Sequence, residues 1–357
     1  MSPPKLEHLK GRLAALLGVD AASLDLAREL PYDKIPPSDP ASSAGHVQRD
    51  KVVASARERG VTTSVRVDDS AGDAGGGRCQ YWYMSLQLTD IWRYPVKSCR
   101  GERLAEALVE PWGLAGDRRW MIVDGAGDPV TGREHPRLVL VTPRVENGKI
   151  TLASPGLAEV TVPVPASADL VPVNVWSYDL LAALADDAAA AWLTDIIGKP
   201  VRLVYLDDPT RRATNPKYSQ EGDRVSFADG YPLLLTSEES LDAVNGWIAE
   251  GPRAAEGPIP MGRFRPSVVV SGAPAWAEDG WRRLRIGPVT FRAAKGCDRC
   301  VFTTVDPDTA AKGHEPLFVL ARHRRWDNKV WFGVNLIPDA PGPDALIRPG
   351  DPIEILD

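Results

Sequence analysis

Long apolar runs are missing from this chain. No stretch approaches the roughly 18 consecutive apolar residues that a membrane helix requires, so no membrane association is expected. The N-terminus lacks the basic start, apolar centre and small-residue cleavage site of a secretory signal. Cysteine is scarce: Cys79, Cys99, Cys297 and Cys300 are the only four in 357 residues, too few and too unevenly spaced for a disulfide framework. A reducing, cytoplasmic location is expected from these absences. Basic charge is not in surplus either. The 42 Lys and Arg against 48 Asp and Glu leave a net charge of -6, which excludes a broad basic nucleic-acid surface but not a local basic pocket. There is no Walker-type phosphate loop, no Gly-x-Ser-x-Gly elbow and no His-Glu-x-x-His. His135, His314 and His323 have no spacing that marks a ligand set.

What is present divides the chain in three. Residues 1–83 hold eleven basic and eleven acidic side chains, with Tyr32 the one aromatic before Tyr81. That is too little apolar surface to offset the entropy of ordering, so a poorly ordered extension is expected, with one short amphipathic helix from Leu6 to Leu17. Met84 directly precedes a strong strand pattern, Leu86 to Val96, and is expected to be the natural start. Residues 84–205 read as a small β domain. Its short runs are Arg119–Val123, Leu138–Val141, Lys149–Ala153 and Glu159–Val164, followed by an alanine-rich helix from Leu180 to Ile197 closed by Gly198 and Pro200. Residues 206–357 read as a second, barrel-like β domain. A strand at Leu233–Leu235 leads to a helix opened by the capping spacing of Thr236 and Glu239. Strands are then expected at Ser267–Val270, Leu284–Ile286, Val289–Ala293, Val301–Val305 and Pro352–Leu356. The fold class is mixed α/β and strand-dominated.

The strongest chemical signal is Cys297-Asp298-Arg299-Cys300. Four readings stand. A structural zinc site needs four ligands, and no second cysteine or histidine pair accompanies this one. A redox dithiol should open a helix, whereas Cys300 leads into the strand-like Val-Phe-Thr-Thr-Val. The third reading is two inert, buried thiols. Or one thiolate binds a soft transition metal whose other ligands come from a cofactor, with Lys295 and Arg299 favouring the ionised sulfur. Basic residues recur at turn-like places: Lys97-Ser98, Asp117-Arg118-Arg119 and Arg263-Phe264-Arg265-Pro266. An arginine before proline is expected in extended backbone, where its fork can be aimed at phosphate. Taken singly, each arginine reads more readily as a solvated surface charge or an ion pair. Asp229-Gly230-Tyr231-Pro232 is a turn ahead of a buried strand, whose amides can receive an anion.

Taken together, these segments resemble the molybdenum cofactor sulfurase C-terminal (MOSC) domain proteins, with the closest likeness to the amidoxime-reducing components and their bacterial relatives. The likeness spans about Leu88 to Leu356. It is carried by Ile91-Trp92-Arg93-Tyr94-Pro95-Val96-Lys97-Ser98-Cys99-Arg100-Gly101, by Arg263–Pro266 and by the run from Cys297 to Thr309. It implies a MOSC N-terminal β-barrel-like domain followed by a MOSC β-barrel domain with peripheral helices. It further implies a molybdenum–molybdopterin cofactor with Cys300 as metal ligand and catalytic centre. Lys97, Ser98, Arg118, Asp229, Gly230, Tyr231, Arg265 and Arg299 would bind the cofactor, and Cys297 would be a non-ligand neighbour. Ser267 departs from the family, standing where relatives carry asparagine. The implied reaction is reduction of a small N-hydroxylated substrate, N–OH to N–H. Some bacterial relatives continue into a plant-type iron–sulfur domain and mitochondrial ones carry a membrane anchor. Neither pattern occurs here, so electrons are expected from a separate ferredoxin, flavoprotein or cytochrome. MOSC domains also occur fused to sulfurases that use pyridoxal phosphate. The alternative is a carrier module for the cofactor or for sulfur, without turnover of its own.

Overall fold

A computed structural model describes residues 24–26, 54–58, 61–66 and 82–357, apart from residues 147, 167, 168 and 177. The helix expected from Leu6 to Leu17 and the thiol of Cys79 lie outside the described residues. Two compact units are present, one comprising Met1–Leu86 with Gly272–Pro274, the other Gln87–Ser271 with Ala275–Asp357. In the first, Leu24–Leu26, Ala54–Glu58, Val61–Arg66 and Trp82–Ser85 form an antiparallel sheet in that order.

The second unit is built on a long sheet. Its strands run, in spatial order, Ile353–Ile355, Arg283–Ile286, Val289–Asp298, Lys329–Pro338, Leu233–Ser237, Val268–Ser271, Gln87–Arg93 and Glu102–Leu104, with Arg325–Trp326 added beside Lys329–Pro338. Leu233–Ser237 and Val268–Ser271 pair in parallel. Parallel neighbours need a crossover, and the helix Glu238–Ala249 supplies it. A four-stranded sheet, Leu170–Val175, Tyr178–Leu184, Arg202–Tyr205 and Trp120–Val123, and a meander of Thr142–Glu146, Lys149–Ala153 and Val160–Pro163 complete the N-terminal part. Their inner faces close over a core around Val96, Trp120, Leu138, Ile150 and Leu193. No helix among the described residues is long and apolar enough to cross a membrane.

The strand-dominated α/β class holds, while several element assignments need correction. The expected helix from Leu180 is a strand through Leu184, and the helix begins at Asp187. Leu138–Val141 falls in a 3-10 turn, Pro136–Leu140. The second helix is capped by Ser237, whose hydroxyl accepts from the Ser240 amide, one residue later than the Thr236 spacing indicated. Val301–Thr304 is also a 3-10 turn. There the Thr303 hydroxyl donates to the Cys300 carbonyl (2.9 Å) and that of Thr304 to the Val301 carbonyl (2.8 Å). These local bonds compete with a sheet ladder and prevail over the β-branched composition.

Candidate functional site

Five neighbouring strands deliver the site. Gln87–Arg93, Val268–Ser271, Leu233–Ser237, Lys329–Pro338 and Val289–Asp298 lie side by side. The segments flanking them converge on an open cleft of about 890 Å³. Every residue to which the sequence assigned a role lines it: Lys97, Ser98, Arg118, Asp229, Gly230, Tyr231, Arg265, Arg299 and Cys300.

The cleft is cationic. Lys97, Arg118, Arg133, Arg263, Arg265 and Arg299 face two carboxylates, Asp229 and Asp298. Lys97 is buried, with its ammonium donating to the Phe227 carbonyl (2.8 Å) and to Asp229. Burial pulls its pKa down and the Asp229 charge resists. The surrounding cleft wall would raise the Asp229 carboxyl by desolvation, although the side chain itself is 60% exposed, but the charge and hydrogen bond of Lys97, with Arg133 behind them, hold it below the usual carboxylate range. Asp229 is therefore ionised at neutral pH.

Three of the assigned residues sit in strained backbone. Ser98, Arg118 and Arg265 have φ of 70°, 45° and 55°, the left-handed region that side chains disfavour. Such strain persists only where surroundings enforce it, and it gathers at binding sites. The extended conformation expected for Arg265 is not observed. The 3-10 turn Met261–Phe264 ends on it with φ 55° and ψ 51°, and its amide donates to the Gly262 carbonyl (3.1 Å). Proline at the next position disfavours the right-handed helical region for Arg265, which is why the turn stops there. The side chain is held from behind, donating to the Cys99 carbonyl at 2.7 Å. Arg118 donates to Asp117 (2.6 Å) and to the Arg265 carbonyl (3.3 Å).

The two cysteines of the motif differ. Arg299 donates to the Cys297 sulfur (2.9 Å) and to the Phe264 carbonyl (2.6 Å). Burial raises the Cys297 thiol and the Arg299 charge partly offsets this. Cys300, one step past Arg299, is exposed at the cleft wall. Among the described residues no three His, Cys, Asp or Glu side chains gather as a metal-ligand set. A metal bound at Cys300 would therefore draw one protein ligand and take the rest from a cofactor. Two buried guanidinium nitrogens, Nε of Arg263 and of Arg299, have no hydrogen-bond partner among the described residues, and both side chains line the cleft. Unsatisfied buried donors, converging cations and an accessible thiol fit an anionic, sulfur-bearing metal cofactor.

Some contributors were not found in the sequence. Arg133 donates to Asp229 (3.2 Å) and rests over the Trp176 ring, 4.6 Å from its centroid. Arg212 is buried and donates to the carbonyls of Ser226, Ala228 (2.5 Å) and Asp229 (3.0 Å), bracing the Asp229 turn from beneath. Neither carries a local motif. Ser267, the departure from the family pattern, is buried at the cleft wall and exchanges hydrogen bonds with the Leu234 backbone, 2.8 Å from its amide and 3.2 Å at its hydroxyl.

Comparison with known proteins identifies two matching domain families. The MOSC N-terminal beta barrel domain family matches residues 85–200 and the MOSC domain family residues 222–354. The human mitochondrial amidoxime-reducing component 1 (Homo sapiens) is 31% identical over 289 residues, covering 75% of this chain and 82% of that protein. Component 2 of Rattus norvegicus is 33% identical over 74% of this chain and 82% of its own length. Component 1 of Danio rerio is 34% identical over 68% and 76%. The chain belongs to the amidoxime-reducing component family of MOSC domain proteins. Within this MOSC protein the cleft draws Lys97, Ser98, Arg118 and Arg133 from the first matched domain and the cysteine motif from the second.

Proposed function

We propose that this protein reduces N-hydroxylated small molecules, N–OH to N–H, on a molybdenum–molybdopterin cofactor held by the Cys300 thiolate, with electrons from a separate redox protein. The observation that carries the reading is the convergence of an exposed thiol and a set of buried or half-buried cations on one cleft. The names of the relatives add the reaction class. When bound, the cofactor supplies the two-electron redox chemistry and an oxygen-accepting metal.

The chain's own residues do the rest. Lys97, Ser98, Arg118 and Arg265 hold the anionic tail, the guanidiniums by paired hydrogen bonds that a phosphate accepts. The strained backbones of Ser98, Arg118 and Arg265 and the buried bonds of the Lys97 ammonium keep these groups aimed before the ligand arrives, so little ordering cost remains at binding. Asp229, kept ionised by Lys97 and Arg133, accepts hydrogen bonds from substrate N–H groups at the open side of the cleft. It is no proton source at neutral pH, so the protons consumed with the electrons come from solvent through the cleft mouth.

Cys300→Ser tests the assignment. Molybdenum content should fall by more than the roughly 10–100-fold that loss of a mere ligand-supporting group costs. Benzamidoxime reduction driven by reduced methyl viologen should disappear with it. Turnover by a metal-loaded Cys300→Ser protein would overturn the assignment. Tight cofactor binding by the wild-type protein without any turnover would favour the carrier alternative.

A further inference from the structure

Beside the cysteine motif stands a feature that cofactor binding does not use. Arg325–Trp326 and the start of Lys329–Pro338 form a short hairpin closed by Asp327 and Asn328. Both turn residues have positive φ, 52° and 57°, as a tight two-residue turn between twisted strands requires. The hairpin is rigid: Trp326 stacks on Trp331 with centroids 5.7 Å apart, and the Trp331 indole donates to the Trp326 carbonyl (3.1 Å). Despite that stacking, Trp326 remains 44% exposed. The hairpin is also tied to the site. The Arg299 amide donates to the Val330 carbonyl (2.7 Å), and Lys329 reaches Asp298 at 3.7 Å. The residue immediately before Cys300 is therefore bonded directly to the hairpin's backbone. Val301, next to Cys300, is 47% exposed.

Cations frame these apolar groups. Arg325 is exposed and shows no ion pair among the described residues, Lys329 is exposed, and Asp327 is the one acid in the turn. Lys329 and Lys295 share Asp298, so with Arg325 and Asp327 counted the surface keeps a single net positive charge, carried by the unpaired Arg325, on a chain of net charge -6. An exposed tryptophan on a rigid frame beside arginine and lysine has the composition of an interface anchor. Self-packing does not explain it, since nearly half the indole faces solvent.

We infer that the hairpin tip, with Val301, is the docking surface for the electron-donating partner, a small redox protein whose own redox face is ringed by carboxylates. The inference rests on the reductase reading above. Each N–O bond broken consumes two electrons and two protons and yields N–H and water, so two reduced one-electron carriers dock and leave oxidised per turnover. A surface at the edge of the Cys300 cleft places the carrier next to the centre it must reduce. Charge complementarity steers the approach, and the apolar contact of Trp326 holds the complex briefly.

The test uses the holoprotein with a plant-type ferredoxin, an acidic one-electron carrier, as probe. Arg325→Glu and Trp326→Ala should each lower ferredoxin-driven kcat/KM for benzamidoxime reduction at least about tenfold, with matching weakening of oxidised ferredoxin binding by calorimetry. Turnover driven by reduced methyl viologen, which needs no docking surface, should be unchanged. Wild-type ferredoxin binding should weaken as salt rises from about 0.01 to about 0.1 M, where the Debye length falls from about 30 to about 10 Å. Unchanged ferredoxin binding in both variants, or no salt-sensitive binding by the wild-type protein, overturns the inference. So does a parallel loss of viologen-driven turnover, which would mean the tip acts on the site itself. A wild-type holoprotein inactive with either donor would sink the reductase reading, while calorimetry would still decide the docking surface.

Discussion

The guanidinium of Arg118 lies 4.3 Å from the Tyr94 ring centroid and that of Arg265 4.1 Å from it, so one buried ring seats both cations. Like charges brought this close repel, and the face of an aromatic ring lowers that cost by roughly 0.5–2 kcal/mol per contact. Burial brings Arg265 down to about 10, still protonated at neutral pH. Burial also pushes the Tyr94 hydroxyl up to about 12 against the pull of Arg265, and that hydroxyl has no hydrogen-bond partner among the described residues. The ring and the hydroxyl therefore make separable contributions. Tyr94→Phe removes only an unsatisfied buried polar group and should leave stability and cofactor retention unchanged or slightly improved. Tyr94→Leu removes the seat for both arginines, and it should cost about 2–4 kcal/mol in denaturant unfolding and lower molybdopterin content. Equal loss of cofactor in both variants would show that the hydroxyl, not the ring, matters.

At the scale of elements, the helix Asp187–Ile197 shows why boundaries escaped the sequence. The run Leu180-Leu181-Ala182-Ala183-Leu184 is rich in helix formers, yet it pairs through Ala183 with Leu170–Val175 and at Leu184 with Val204. Packing of Leu180 and Ala182 into the core overrides the local preference. The helix starts where a cap exists: the Asp186 carboxylate accepts from the Ala188 amide (2.8 Å), and Gly198 closes the other end at φ 80°. Asp186→Ala should cost about 1 kcal/mol in urea unfolding with an unchanged slope, because one orphan donor loses its partner. A cost near zero would place the helix start elsewhere. The long strand Lys329–Pro338 went unread because it is buried along much of its length and shows no alternation of the kind that marks a half-exposed strand. The site fared better. Cys300, Arg265, Lys97 and Asp229 all line one cleft and lie in short segments of distinctive local spacing, and such segments read locally. Arg133 and Arg212 act across the fold on a turn almost a hundred and about seventeen residues away respectively, and no local pattern encodes that reach.

Across the whole molecule, stability should vary with pH in a way that one carboxyl makes visible. Glu278 is fully buried, and its Oε1 takes a hydrogen bond from the Ser240 hydroxyl (2.7 Å) while Oε2 has no partner among the described residues. Burial raises it from 4.5 to about 7, with the Ser240 bond and the Arg324 charge only partly opposing. The sign follows from linkage: between about 4.5 and 7 the folded protein holds a proton that the unfolded chain has released, so stability falls as pH rises through that window. Above it the loss is complete and constant, at roughly 3 kcal/mol for a shift of this size. Glu278→Gln carries no such proton. Relative to wild type, the variant should gain stability steadily from about pH 4.5 and level off above about 7, in chemical denaturation across a pH series. Other titrating groups, including Asp229 with its opposite shift, contribute to both proteins and cancel in the difference. A difference that stays flat across the window would mean that Glu278 is already ionised in the folded core, with its charge balanced by Arg324.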